Sequence, residues 1–269
     1  MLLTIDISNS LITLGGYRRT GEDFEDTPSF MARFVTEASR TDDQYAVQIR
    51  QLLELYEVPV KKIQDVMIAS VVPEINAAFA RAIQKVLGKH ALFVGPGSKT
   101  GLNIRMDTPS QLGADLVAGA VAAVESYPLP CIIFDLGTAT TISVVDRQAQ
   151  FRGGMICPGL ALNLQALASK TALLPHISIE KPSAVIGTNT IHCMQSGAVY
   201  GTAAMLDGVA ARIEQELGDT ATLIATGSLA EIVVPACQRR IHVCEHLLLN
   251  GLKSIYRKQK TARQREGKA

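Results

Sequence analysis

Two stretches of this chain are variations on one pattern, and that pattern restricts the fold more than any other feature. Residues 2–14 read LLTIDISNSLITL and residues 132–144 read IIFDLGTATTISV. Each is an apolar run, an aspartate, a short turn of small hydroxylated or amide residues, and a second apolar run. The aspartates, Asp6 and Asp135, stand about half the chain apart. An Asp at a strand end followed by Gly, Ser and Thr can offer backbone N–H groups and hydroxyls to phosphate oxygens, while the carboxylate holds a cation or its water. One copy alone would read as an ordinary hairpin turn. Two copies point to two related halves facing one another across a cleft. A third segment, Leu223–Ser228 (LIATGS), runs from a strand into small residues, as expected where backbone passes close to a nucleoside.

The remaining pattern is that of a layered α/β chain. Segments rich in β-branched residues predict strands at 2–5, 11–14, 65–71, 91–94, 131–134, 141–145 and 222–225. Apolar residues at helical spacing predict helices at 42–57 and 74–87, and stretches of small and apolar residues nearly all round predict buried helices at 111–125 and 189–217. The last of these carries Gly197, Gly201 and Gly208 on an apolar body, which suits close approach to another backbone at a domain or subunit contact. With 269 residues and 47% hydrophobic content, the chain can bury one large core or two modest ones. The repeat places the division at 1–115 and 116–269.

Charge and cysteine usage narrow the function classes. The 26 basic and 25 acidic residues leave a net charge of +1, so no broad electrostatic footprint points to nucleic acid or a membrane surface. The basic stretch Lys253–Lys268 reads as a helix end fraying into solvent. No apolar run approaches the roughly 20 residues that span a bilayer. The opening MLLTIDIS lacks the positive n-region of a signal peptide, so a cytoplasmic protein is expected. Five cysteines without C-x-x-C spacing argue for reduced thiols. His242, Cys244 and His246 alternate as metal ligands can, but zinc would need a fourth group. The loop Gly95–Gly101 (GPGSKTG) has neither the adjacent Gly-Lys of a P-loop nor G-x-G-x-x-G spacing.

The two aspartate turns and the LIATGS segment together resemble the actin-like, sugar-kinase and Hsp70 type of ATPase. Intervening motifs narrow the resemblance. Pro109–Asp115 (PSQLGAD), Asp135–Thr140 (DLGTAT), Arg152-Gly153-Gly154 with Pro158-Gly159, Ala168–Pro175 (ASKTALLP) and Gly187–Thr190 with Gln195-Ser196-Gly197 are, in order and approximate spacing, similar to those of the type III pantothenate kinases. The resemblance runs from residue 6 to about 256. It implies two related actin-like (ribonuclease H-like) domains with mixed sheets flanked by helices. It also implies transfer of the ATP γ-phosphoryl group to pantothenate, in a homodimer that requires Mg²⁺ and a monovalent cation, K⁺ or NH₄⁺. On that template Asp115 is the catalytic base. Asp135 is the monovalent-cation ligand, and Asp6, Ile7, Ser8, Asn9, Ser10, Leu11, Ile12 and Thr13 with Thr138 bind ATP. Met106, Gly113, Ala114, Leu116 and Thr190 fall at substrate-binding positions.

Three of these positions depart from the family pattern. Ser8 stands where the family usually has Gly, a change that predicts weaker ATP binding because a side chain is added where backbone meets phosphate. Leu116 follows Gly-Ala-Asp where Arg is usual, and Met106 stands where Tyr is common. Both changes remove hydrogen-bond donors, and losing a bond to a charged group costs roughly 1.5–3 kcal/mol, or about 10–150-fold in affinity. The acceptor therefore stays open between pantothenate and another small alcohol, with a non-catalytic nucleotide-binding relative as the third reading.

Overall fold

The computed structural model describes residues 1–21 and 23–266. In chain order the elements begin with strands β1 (Leu2–Ile7), β2 (Leu11–Tyr17), β3 (Arg19–Thr20), β4 (Asp23–Phe24) and β5 (Phe30–Val35). Helix α1 (Asp42–Leu55), β6 (Asp65–Ser70), α2 (Pro73–Leu87), β7 (Ala91–Phe93), β8 (Asn103–Ile104) and α3 (Ala114–Ser126) follow. Then come β9 (Cys131–Leu136), β10 (Ala139–Val145), β11 (Gln150–Pro158), α4 (Leu160–Lys170), α5 (Thr190–Leu217), β12 (Thr222–Thr226), α6 (Ala230–Val233), β13 (His242–Val243) and α7 (Leu247–Glu266). No described helix is long and apolar enough to cross a membrane.

The chain divides into two compact units, and they are not contiguous halves. Unit 1 comprises residues 1–102, 108–122 and 246–269; unit 2 comprises 103–107 and 123–245. The expected division at 115/116 differs from this because α7, at the far end of the chain, joins the first sheet, and no local sequence signal records that return.

Unit 1 is built on a sheet of order β5-β2-β1-β6-β7. Alternation along β1 sends Leu3, Ile5 and Ile7 into a core with Tyr45, Ile49 and Leu53 of α1 and Ile75, Phe79 and Ile83 of α2. Helix α1 starts at a capping box in which Thr41 accepts from the Gln44 N–H and the Gln44 side chain accepts from Thr41. Helix α7 lies on the opposite face of the sheet, where a Cβ on Gly15 would fall 2.7 Å from Leu249 Cδ1.

The basic C-terminal stretch does not fray after Tyr256. It stays helical to Glu266 because its polar groups are engaged by the body of unit 1. Lys253 is buried and donates to the Glu25 and Asp26 carbonyls, Tyr256 donates to Asp65 Oδ2, and Lys258 donates to the Thr100 carbonyl. The end of that stretch, including Lys268, lies outside the described residues.

Unit 2 has a sheet of order β13-β12-β9-β10-β11-β8. Its core joins Ile132, Phe134 and Ile142 to Ala203, Leu206 and Ala210 of α5. The sequence repeat reappears here as repeated topology. In each unit the aspartate strand pairs antiparallel with its successor and parallel with a later strand, giving β5-β2-β1-β6-β7 beside β11-β10-β9-β12-β13. In both hairpins a threonine lies opposite the aspartate, Thr13 opposite Asp6 and Thr141 opposite Asp135, although the second hairpin is one residue shorter.

Candidate functional site

In unit 1 the site residues gather where β1 and β6 end. These two strands run parallel, with Asp6 beside Ala69 and Ile7 beside Ser70, and the Val71 N–H donates to the Ile7 carbonyl at 3.0 Å. The turn Ser8-Asn9-Ser10 emerges there. Ile7 and Ile12 belong to the core, so only their main chain is available to a ligand.

Ser8 needs no left-handed backbone, since the only described non-glycine residues with positive φ are Glu57 and Ala149. Its hydroxyl turns back into the hairpin and donates to the Leu11 carbonyl at 2.9 Å, beside the Ser8 N–H bond to the same oxygen at 3.0 Å. The added side chain thus closes the turn. One residue near this turn had no sequence signal: Thr36, just past β5, donates its hydroxyl to the Ser8 carbonyl at 2.7 Å and its N–H to the Ser10 carbonyl at 3.0 Å.

Asp115 opens α3 at the same end of the sheet. A Cβ built on Gly113 would lie 2.3 Å from Asp115 Oδ1 and 3.5 Å from Val71 Cγ1, so the carboxylate, Gly113 and the end of β6 are in close contact. Asp115 Oδ1 accepts the Leu116 N–H at 2.8 Å, and the Gly113 carbonyl accepts from Val117. Burial raises the Asp115 pKa above its usual value, with the backbone hydrogen bonds opposing that shift. A carboxylate so placed is poised to accept a proton. Ala114 and Leu116 flank it, and the Leu116 side chain brings no hydrogen-bond donor.

In unit 2 the ends of β9 and β12 form a second cluster. Thr226 lies beside Asp135 in parallel register. Gly227 follows with φ +91, and a Cβ there would fall 2.7 Å from Asp135 Oδ1 and 2.7 Å from the Leu136 carbonyl. A Cβ on Gly159 would meet the Gly137 and Thr138 carbonyls at 2.4 Å. Glycines therefore let three loops close on the Asp135 carboxylate and the Thr138 turn. An oxygen donor set of this kind suits a hard cation such as K⁺.

Thr190 begins α5, whose N-cap Asn189 accepts the His192 N–H at 2.9 Å. Asn163, Thr188, Asn189, Thr190 and Thr202 are polar residues of an otherwise largely apolar cavity of about 920 Å³ in unit 2 that includes Pro158, Leu164 and Gly201. Met106 belongs to unit 2, whereas Gly113–Leu116 belong to unit 1. Among the described residues, no group of three or more His, Cys, Asp or Glu residues could hold a metal, so His242, Cys244 and His246 do not form one. None of the five cysteines is in a disulfide. The Gly95–Gly101 segment is a loop in which Gly97 and Gly101 take positive φ.

Comparison with known proteins bears on the whole chain. The family model for type III pantothenate kinase matches residues 2–212. A type III pantothenate kinase of Shouchella clausii is 42% identical over 96% of this chain and 99% of its own length. One of Brevibacillus brevis is 39% identical over 97% and 100%. Among solved structures, component A of the (R)-2-hydroxyglutaryl-CoA dehydratase of Acidaminococcus fermentans superposes with a TM-score of 0.51 at 14% identity, covering 97% of this chain and 98% of that one. The ethanolamine utilization protein EutJ of Carboxydothermus hydrogenoformans also gives 0.51, at 15% identity over 94% and 88%. These structural likenesses establish the actin-like fold, and the matches in sequence establish that the chain belongs to the type III pantothenate kinase family.

Proposed function

We propose that this protein transfers the γ-phosphoryl group of ATP to the primary hydroxyl of pantothenate, giving 4'-phosphopantothenate, the first step of coenzyme A synthesis. The observation that carries this reading is the Asp115 carboxylate, held by the Leu116 N–H at the start of α3 in a chain matching the family over nearly its full length. Asp115 orients the alcohol and accepts its proton as the oxygen–phosphorus bond forms and the bond to the ADP oxygen breaks. The Asp6–Thr13 hairpin and Thr138 present backbone N–H groups and hydroxyls to ATP, and Gly113, Ala114 and Thr190 meet pantothenate. Asp135 with its glycine-lined surroundings is the cation ligand. Mg²⁺ and K⁺ or NH₄⁺, when bound, neutralise the charge that develops on the phosphates. Leu116 and Met106 leave recognition of the acceptor to other polar groups. ADP release from purified protein with ATP, Mg²⁺, K⁺ and pantothenate tests the reading; no turnover above background at millimolar pantothenate would overturn it.

The same reading includes a homodimer joined through the α4–α5 face of unit 2. Leu162, Leu167, Leu173 and Ile191 are exposed there. A Cβ on Gly197 or Gly201 would meet nothing within 4 Å, so the glycines expected to admit another backbone leave the α5 surface open within this chain. An apolar helix face of this kind can be covered by its own copy about a two-fold axis. Leu167→Arg should convert the dimer to a monomer by size-exclusion chromatography with light scattering, with the circular dichroism spectrum unchanged. A dimer that persists would exclude this face.

A further inference from the structure

We infer that Thr36 is a positioning residue for the ATP-phosphate turn of unit 1. This inference rests on the kinase reading, because it is the Ser8-Asn9-Ser10 turn that Thr36 holds. The β2–β5 ladder ends with Leu11 opposite Val35, and Thr36 is the next residue along β5. Its N–H extends the ladder by one bond to the Ser10 carbonyl, at 3.0 Å. Its hydroxyl bridges to the other limb of the turn, donating to the Ser8 carbonyl at 2.7 Å. One residue therefore fixes the peptide plane that precedes Asn9 and the one that follows Ser10.

Thr36 is itself held in place. The next carbonyl, that of Glu37, accepts the hydroxyl of Tyr45 at 2.7 Å, and Tyr45 is fully buried in the unit 1 core. The turn is thus tied to α1 through Tyr45, Glu37 and Thr36. The Ser8 hydroxyl closes the turn from within, onto Leu11, but leaves the Ser8 carbonyl dependent on Thr36. Without the Thr36 hydroxyl this carbonyl loses that bond and can rotate, and the Asn9 N–H, which shares its peptide plane, rotates with it. Groups that meet phosphate bind well only when already aimed at it.

Steady-state kinetics on Thr36→Val and Thr36→Ser, with ATP and pantothenate varied separately, test the assignment. Thr36→Val keeps shape and backbone N–H but removes the hydroxyl, so KM for ATP should rise about three- to tenfold, the loss of one net hydrogen bond. KM for pantothenate and the thermal midpoint should stay close to those of the parent protein. Thr36→Ser should restore KM for ATP. Hydrogen exchange at residues 8–11, measured without nucleotide, should be faster in Thr36→Val and near the parent rate in Thr36→Ser. An unchanged KM for ATP in Thr36→Val with unchanged exchange in the turn, or a rise in both KM values together with a lowered thermal midpoint, would overturn the inference. If exchange in the turn quickens while ATP binding does not respond, the turn is held by Thr36 but does not bind phosphate, and the nucleotide assignment of the hairpin fails instead.

Discussion

Replacing Asp115 by asparagine is expected to lower kcat by about 10²–10⁴-fold, the usual contribution of a positioned general base, while leaving the protein at least as stable as its parent. Asparagine nearly matches the carboxylate in shape, and its amide oxygen can still accept the Leu116 N–H that Asp115 Oδ1 accepts at 2.8 Å. What it cannot do is take a proton from the acceptor alcohol. KM for ATP should therefore move little.

The stability half of this prediction follows from the pKa. Burial raises the Asp115 pKa, so the folded protein binds this proton more tightly than the unfolded chain does. A group of that kind supports the fold fully below its unfolded pKa and loses the contribution as pH rises through its folded pKa. Above that point the ionised carboxylate burdens the fold, and Asp115→Asn removes the burden. The thermal midpoint of the variant at pH 7 should equal or exceed that of the parent, with the difference shrinking on acidification through the carboxylate range. The same shift carries the acidic limb of the parent's kcat/KM profile above the ordinary Asp range, since the base must be ionised in the free enzyme. Retention of a tenth or more of the activity would remove Asp115 from its role as base.

The sequence exposed the parts of this molecule that are local. The Asp6 and Asp135 hairpins, the capped helix α1 and the long helix α5 all follow from runs of residues that pack against one another over short spans. Helix α4 and strand β11 were missed for opposite reasons: α4 has weak amphipathic order, and β11 carries Gly153-Gly154 where β-branched residues would mark a strand. Gly154 belongs there because any Cβ would meet the Ile142 carbonyl at 1.8 Å. Thr36 and α7 were invisible in principle, since their meaning lies in which distant segment they touch. The Ser8 side chain was visible, but the partner of its hydroxyl was not. Its partner is the Leu11 carbonyl three residues on, so the side chain is spent within the hairpin.

The largest loss of stability should come from Gly251→Ala, a substitution that helix propensity alone would favour. Alanine is preferred over glycine in a helix interior by about 1 kcal/mol. Against this, a Cβ at position 251 of α7 would lie 1.8 Å from the Ala118 carbonyl oxygen and 2.5 Å from its carbonyl carbon, both in the backbone of α3. No rotamer change relieves a clash with backbone, so the two helices must part, at a cost of about 3 kcal/mol or more. The clash outweighs the propensity, and the thermal midpoint should fall by roughly 5–10 °C. Gly119→Ala supplies the control within the same helix pair: its Cβ would sit 3.9 Å from Leu248 Cδ1, with room to spare, so it should be neutral or stabilising. Activity should separate the two variants as well. Ala118 is one turn along α3 from Asp115, and a shift of about 1 Å in a reacting group can cost on the order of 10²-fold in rate. Gly251→Ala should thus lower kcat at temperatures where the protein remains folded, while Gly119→Ala keeps it. Equal thermal midpoints for the two variants would show that α7 does not meet α3 backbone to backbone, and the stable placement of Asp115 would then need another source.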